Sequence, residues 1–249
     1  MDPFVVLDAG ALDGRVPGDV VPLPAGTEKH LRTVLRRPDG SGVVLADGAG
    51  TTAVASLVAD GARLAGEPAV TPAPRPALHV LQGLAKGRKV DEVVRVLTEL
   101  GVDTITPVAG ERSVKELAGP KREKTLARWR AVATAAAEQA RRPHVPTIDE
   151  PGTVPEILAR LDAAGGTSTV VVAHVGAEAG LAVALTDGLR DADEVVLAVG
   201  PEGGWTDAEV AAFVRAGTAV AHLGASVLRT EHAAAALVAV VSFRLGRMG

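Results

Sequence analysis

The chain has 249 residues, long enough for one large domain or two ordinary ones; 47% are hydrophobic but only five are aromatic, Phe4, Trp129, Trp205, Phe213 and Phe243. The lack of cysteine excludes disulfides, thiolate zinc sites and cysteine nucleophiles, and the six histidines have no HExxH or other close ligand spacing, so no metal is expected. A net charge of −4 hides an uneven spread: residues 1–75 carry 7 basic and 9 acidic side chains, residues 76–145 carry 13 and 8, and residues 146–249 carry 6 and 13.

A basic middle third suits a polyanion held locally, although a solvated basic helix gives the same count. No apolar stretch is long enough to span a bilayer, and Met1-Asp2-Pro3-Phe4 lacks the basic and apolar segments of a signal peptide. These features predict a cytoplasmic protein without a membrane partner.

Residues 1–71 offer short apolar segments (4–7, 20–23, 43–45 and 52–58) divided by Asp39-Gly40, Asp47-Gly48 and Asp60-Gly61. That pattern predicts a small antiparallel barrel or sandwich. One helix is expected over 27–37, capped by Thr27, with Leu31, Val34 and Leu35 on a shared face. The segment Thr71-Pro72-Ala73-Pro74-Arg75-Pro76 is stiffened by three prolines and marks the domain boundary, giving domains 1–71 and 77–249.

Beyond it strand and helix patterns alternate, as in an α/β domain. Strands are predicted at 77–81, 104–108, 169–173, 194–199 and 218–223, and helices at 90–100, 121–142 and within 151–166. Thr206-Asp207-Ala208-Glu209 fits a capping box, and Thr230 is expected to cap a final helix so apolar that it should be buried, in the monomer or in a subunit interface.

Two strand ends carry glycine loops, Gly200-Pro201-Glu202-Gly203-Gly204-Trp205 and Gly224-Ala225-Ser226-Val227-Leu228-Arg229-Thr230-Glu231. Loops at the carboxyl ends of parallel strands are where open α/β sheets bind ligands, so the two should line one pocket, although any single glycine could merely turn the chain. GxxxxGK[ST], GxGxxG and GxSxG are all missing, which argues against P-loop enzymes, ordinary dehydrogenases and α/β hydrolases.

These two loops resemble the S-adenosylmethionine-binding region of SPOUT-class RNA methyltransferases, and of the RsmE family in particular. Further matches are Lys29-His30-Leu31-Arg32-Thr33-Val34-Leu35-Arg36, Gln82-Gly83-Leu84-Ala85-Lys86-Gly87, Thr98-Glu99-Leu100-Gly101-Val102 and Glu138-Gln139-Ala140-Arg141-Arg142. The resemblance implies an α/β fold with an N-terminal β domain: a PUA-like β-barrel that binds RNA, then a SPOUT domain with a C-terminal trefoil knot, working as a homodimer. It implies methylation of N3 of a uridine in 16S ribosomal RNA, with the RNA or the 30S subunit as partner and S-adenosylmethionine as cofactor.

By position, the resemblance puts Val175, Gly176, Gly200, Pro201, Glu202, Gly203, Leu223, Gly224, Val227 and Leu228 around the cofactor. Arg229 would stabilise charge on the uracil or grip a phosphate, and Glu231 would be the base or serve the helix amino end. Arg32, Arg36, Lys86, Arg88, Lys89, Arg112, Arg141 and Arg142 would contact RNA phosphates. The chain departs from the family at Ala225-Ser226-Val227 and at His232-Ala233, which puts Ser226 in doubt as a contact and leaves His232 without an assigned role. Two other function classes stay open: a non-catalytic RNA-binding assembly protein of this fold, and an α/β enzyme acting on a small metabolite. A SPOUT methyltransferase with a different RNA target is a third alternative.

Overall fold

The computed structural model describes residues 1–113, 119–185 and 187–248. The chain divides into two compact units, Met1–Ala73 with Thr134–Val145, and Pro74–Ala133 with Pro146–Gly249. The division between Ala73 and Pro74 falls within the proline-rich segment. The return of 134–145 to the first unit departs from the contiguous division predicted, because one helix is shared and helical periodicity carries no signal of where its neighbours change.

The first unit holds β1 (Phe4–Val6), β2 (Val20–Val21), α1 (Ala25–Lys29), β3 (Gly42–Ala46), β4 (Thr51–Val58), β5 (Gly61–Leu64) and β6 (Ala69–Val70). Its sheet runs β1-β3-β4-β5-β2, with β6 paired to β4. The pairs are antiparallel except β1 with β3, which is parallel. Strict alternation in β4 turns Ala53, Ala55 and Leu57 into a core that also holds Val5, Val43, Leu45 and Leu64.

The helix expected over 27–37 differs. It starts at Ala25 behind Pro24, with no Thr27 cap, and passes into a π-helical turn at His30–Val34. Only Leu31 is buried there, and Val34 and Leu35 lie outside at 64% and 45% exposure. The wider π turn, closed by Leu35 N donating to His30 O at 3.0 Å, shifts the angular register, so the α-helical spacing does not gather the three side chains on one face.

The second unit holds β7 (Ala77–Gly83), α2 (Lys89–Glu99), β8 (Thr104–Val108), α3 (Pro120–Ala140, whose last turns belong to the first unit), β9 (Thr147–Ile148) and α4 (Val154–Ala164). There follow β10 (Ser168–Ala173), α5 (Leu181–Ala184), β11 (Glu194–Val199), α6 (Asp207–Arg215), β12 (Ala219–Ala221) and α7 (Thr230–Leu245). All pairs in the sheet β12-β10-β11-β7-β8-β9 are parallel. Its strands read as continuous apolar runs because helices cover both faces.

α4 and α6 close one face over Leu81, Val172, Val196 and Ala198, where Trp205 meets Phe213 edge-on at 5.4 Å. α7 packs against α2, β7 and β11. The indole of Trp129 on α3 donates to Asp91 of α2 at 2.8 Å. Within the single chain α7 is not covered all round: Val240 and Phe243 are 44% and 71% exposed, so of the two expected ways of burying it only a subunit interface would cover these two side chains.

β11 lies between β10 and β7, and β12 pairs with the far side of β10. Strands distant in sequence thereby become neighbours, and their carboxyl-end loops converge.

Candidate active site

The loops after β10, β11 and β12 enclose a cavity of about 430 Å³ lined by residues 173–175, 199–205, 222–230, Arg112 and Ala233. Nine of the ten residues expected around the cofactor are in the lining; Gly176 is not. Val175, Val227 and Leu228 put exposed aliphatic side chains here, and Gly224, at φ 128°, has a backbone open to glycine and few other residues.

Two ties hold the wall. The buried Gln82 amide, at the end of β7, donates to Thr230 Oγ1 at 2.8 Å, and that hydroxyl donates to the Gly200 carbonyl at 2.6 Å. Thr230 therefore links the turn after β11 to the start of α7 instead of capping the helix; the N-cap position is Arg229. Gly83 explains a second motif residue, since a β-carbon there would run into the backbone of Gly200 and Pro201.

The other tie is ionic. Glu202 accepts from the Lys86 amide at 3.1 and 3.3 Å and pairs with Lys89 Nζ at 3.2 Å. Partial burial raises its carboxyl, but the Lys86 amide and the Lys89 ammonium outweigh this and hold Glu202 below the ordinary carboxylate range. Lys89 Nζ also lies 3.7 Å from Glu231 Oε1, while Glu231 Oε2 is buried without a hydrogen-bond partner among the described residues. Glu231 sits in the first turn of α7 and does not line the cavity.

Arg229 does line it; its guanidinium is exposed and has no hydrogen-bond or ion-pair partner among the described residues. Arg112, expected on phosphate, donates to the Gly203 and Trp205 carbonyls at 3.2 Å each and so braces the turn. In the predicted capping box Glu209 N donates to Thr206 Oγ1 at 3.2 Å, and Glu209 also receives the Thr206 and Glu111 amides.

The remaining basic candidates divide between the units. In the first, Arg32 pairs with Asp39 at 2.6 Å and donates to Val58 O at 2.6 Å, and Arg141 donates to Asp2 O at 2.7 Å and lies over the Phe4 ring. Arg142 belongs to the same unit. The side chains of Arg36, Lys86 and Arg88 are exposed, with no partner among the described residues. His232 is an exposed residue of α7.

Sequence reasoning missed Gln82 as a support, and His174, Trp205, His222 and Thr230 as lining. A lone amide closing an apolar strand was the available signal for Gln82, because a buried polar side chain needs partners. Among the described residues no His, Asp and Glu cluster could hold a metal, and no helix is long and apolar enough to cross a membrane.

A family model described as RNA methyltransferase domain matches residues 71–242. The ribosomal RNA small subunit methyltransferase E of Mycobacterium bovis is 33% identical over 225 residues, covering 88% of this chain and 84% of that protein. The protein of that name from Bacillus subtilis is 30% identical, covering 67% and 66%. A crystal structure of the Neisseria gonorrhoeae ribosomal RNA small subunit methyltransferase E bound to S-adenosyl methionine superposes with a TM-score of 0.84 at 27% identity, over 98% of each chain. With a family model across most of its length and a relative 33% identical over 88% of it, the chain belongs to the ribosomal RNA small subunit methyltransferase E family of RNA methyltransferases.

Proposed function

We propose that this protein transfers a methyl group from S-adenosylmethionine to N3 of a uridine in 16S ribosomal RNA of the small subunit. The observation that carries the reading is Arg229, unpartnered among the described residues, on the wall of a glycine-lined cavity at the carboxyl ends of three parallel strands. The cavity volume of about 430 Å³ lies within the usual range for small-molecule sites. Its mix of aliphatic side chains and close-approach backbone suits a nucleoside whose base packs on aliphatic groups and whose polar, cationic sulfonium tail meets main-chain groups.

The turns at 200–203 and 223–228, with Val175, would hold the cofactor, which when bound supplies an electrophilic methyl on a sulfonium sulfur. The work of this chain is to present the nucleophile. Uracil N3 carries an imide proton, which would pass to solvent water at the exposed Arg229 side of the cavity; its loss leaves negative charge shared with O2 and O4, and the planar fork of Arg229 suits those oxygens. The N3 lone pair then forms the N–CH₃ bond as the S–CH₃ bond breaks and its electron pair returns to sulfur. Glu231, paired with Lys89 at the helix start, supports the reading of a carboxylate that positions α7 better than that of a base at the cavity wall.

The first unit serves as a PUA-like RNA-binding domain, a reading its small mixed sheet and exposed Arg36 support. The second unit is a SPOUT domain with a C-terminal trefoil knot, a reading supported by the insertion of β11 between β10 and β7 and by the loops after β10, β11 and β12 lining one cavity. A homodimer would cover Val240 and Phe243 of α7. The site of action is the cytoplasm, where small subunits are made.

The test is transfer of labelled methyl from S-adenosylmethionine to small ribosomal subunits from cells lacking the protein, followed by mapping of the labelled nucleotide. Label at uridine N3 supports the reading. Absence of both cofactor binding and transfer would favour the non-catalytic assembly protein, and label on a different RNA would correct the target.

A further inference from the structure

The first unit carries a second cavity, of about 460 Å³, between the α1 segment and the last turns of α3. Its apolar walls include Phe4 and Leu35, and its polar groups come from Thr27, His30, Glu138 and Gln139. None of these was assigned a role above.

Three features set this cleft apart. The π turn at His30–Val34 leaves Val34 and Leu35 outside the core, against the usual preference for burying aliphatic side chains. The two non-glycine residues with positive φ among the described residues, Arg36 at 52° and Arg141 at 55°, follow the two helical segments that form the cleft. Such conformations are uncommon for a residue with a β-carbon, and here each closes a helical segment, Arg37 N donating to Leu31 O at 3.0 Å and Arg142 N to Ala137 O at 2.9 Å. Arg141 is used within the unit, fixed over Phe4 at 5.4 Å, whereas the Arg36 side chain is exposed and unpartnered among the described residues.

Glu138 adds chemistry. It accepts from the Val6 amide at 3.0 Å, and burial pushes its carboxyl above the ordinary range despite that bond and the neighbouring His30. A half-buried carboxylate beside an amide side chain offers acceptors to a planar ligand with adjacent N–H donors, and apolar walls cover the faces of such a ligand. Unpaired bases are recognised in this way, by side-chain contact with their faces and hydrogen bonds to their edges.

We infer that this cleft receives one unpaired base of the RNA substrate, a guanine by its paired N1–H and N2–H donors, with Leu35 against the base and Arg36 on its phosphate. The assignment rests on the RNA-methyltransferase reading and extends it to a second anchoring point, away from the methyl-transfer cavity. Arg36 is left-handed because its backbone must turn there to close the helix, and the same turn directs a cation outward beside the aliphatic pair.

The experiment uses the full-length protein with Leu35→Ser, Arg36→Gly and Glu138→Gln, measuring methyl-transfer kinetics on small subunits and direct binding of a fluorescent single-stranded RNA oligonucleotide. Arg36→Gly is the decisive variant, because glycine relieves the positive φ: its melting temperature holds or rises, while KM for the subunit increases about tenfold, equivalent to one lost ionic anchor, with kcat and cofactor affinity unchanged. Leu35→Ser gives the same split, and Glu138→Gln removes the preference for guanine- over adenine-containing oligonucleotides. Normal transfer with wild-type KM and oligonucleotide binding in both Leu35→Ser and Arg36→Gly overturns the cleft and leaves the function standing. Cleft-dependent RNA binding without transfer by the wild type does the reverse, and loss of both in the wild type removes both.

Discussion

Thr230 Oγ1 donates a 2.6 Å hydrogen bond to the carbonyl of Gly200 and accepts one from Gln82, so a single hydroxyl fastens the start of α7 to two neighbouring strand ends. All three groups are buried or nearly so, and removing the hydroxyl leaves a donor and an acceptor unmatched. Thr230→Val should destabilise the protein by about 1–3 kcal/mol and weaken cofactor binding, with Thr230→Ser recovering most of both. Urea unfolding and calorimetric titration with S-adenosylmethionine measure the two effects; an unchanged cofactor affinity in Thr230→Val would mean that the tie does not shape the cavity.

At Gly83 the constraint is steric. An added β-carbon meets the Gly200–Pro201 backbone, which has no flexible side-chain end to move aside. Gly83→Ala should therefore cost about 1–3 kcal/mol in unfolding free energy and lower cofactor affinity, because the turn it displaces is cavity wall. Wild-type stability in this variant would contradict the close approach.

Arg229 stands on the cavity wall with no hydrogen-bond or ion-pair partner among the described residues, so its removal takes little from the fold. Arg229→Ala should reduce kcat by about 10²–10³-fold, the usual loss for a group that stabilises charge forming in the transition state. Cofactor affinity and melting temperature should stay near wild type. A parallel loss of cofactor binding would reassign the arginine to the cofactor.

The Glu202 contacts make a pH prediction. Its carboxyl in the folded protein titrates below the ordinary 4.5, so the ionised form is favoured by folding. That stabilisation is fully present above the unfolded value and is lost as pH falls through the depressed folded one. Acid unfolding followed from pH 6 downward should show a Glu202-dependent component below about pH 4.5, absent in Glu202→Gln. Equal acid sensitivity of the two proteins would show that Lys86 and Lys89 do not hold this carboxylate in solution.

Phe243 is a large apolar side chain exposed on the last helix. If a second copy covers it, Phe243→Glu should convert a dimer to a monomer in sedimentation equilibrium with little change in the monomer's fold. A monomeric wild type would remove the homodimer from the proposal.

Much of the fold was legible locally. The apolar runs of β7, β8, β10 and β11 announce strands buried on both faces, and Thr206 with Glu209 announces a helix start, because these signals depend on residues a few positions apart. The π turn escaped, since an α-helical period assumes the geometry that His30–Val34 abandons. Composition left open whether the last helix is covered within the monomer or by a second copy, because it ranks a side chain by its affinity for apolar surroundings and cannot say which surface remains uncovered; the single chain leaves Phe243 exposed.

The chain itself determined the parallel strands, the proline boundary, the glycine loops and the motifs that carry the family. Tertiary structure decided which cations are free and which are bound: Arg229, Arg36, Lys86 and Arg88 lack partners among the described residues, while Lys89 and Arg112 are engaged by the cavity's own turn. The physical reason is that a charge finds its partner through space. Strand order β10-β11-β7 brings residues a hundred positions apart within hydrogen-bonding distance, and no local pattern records that order.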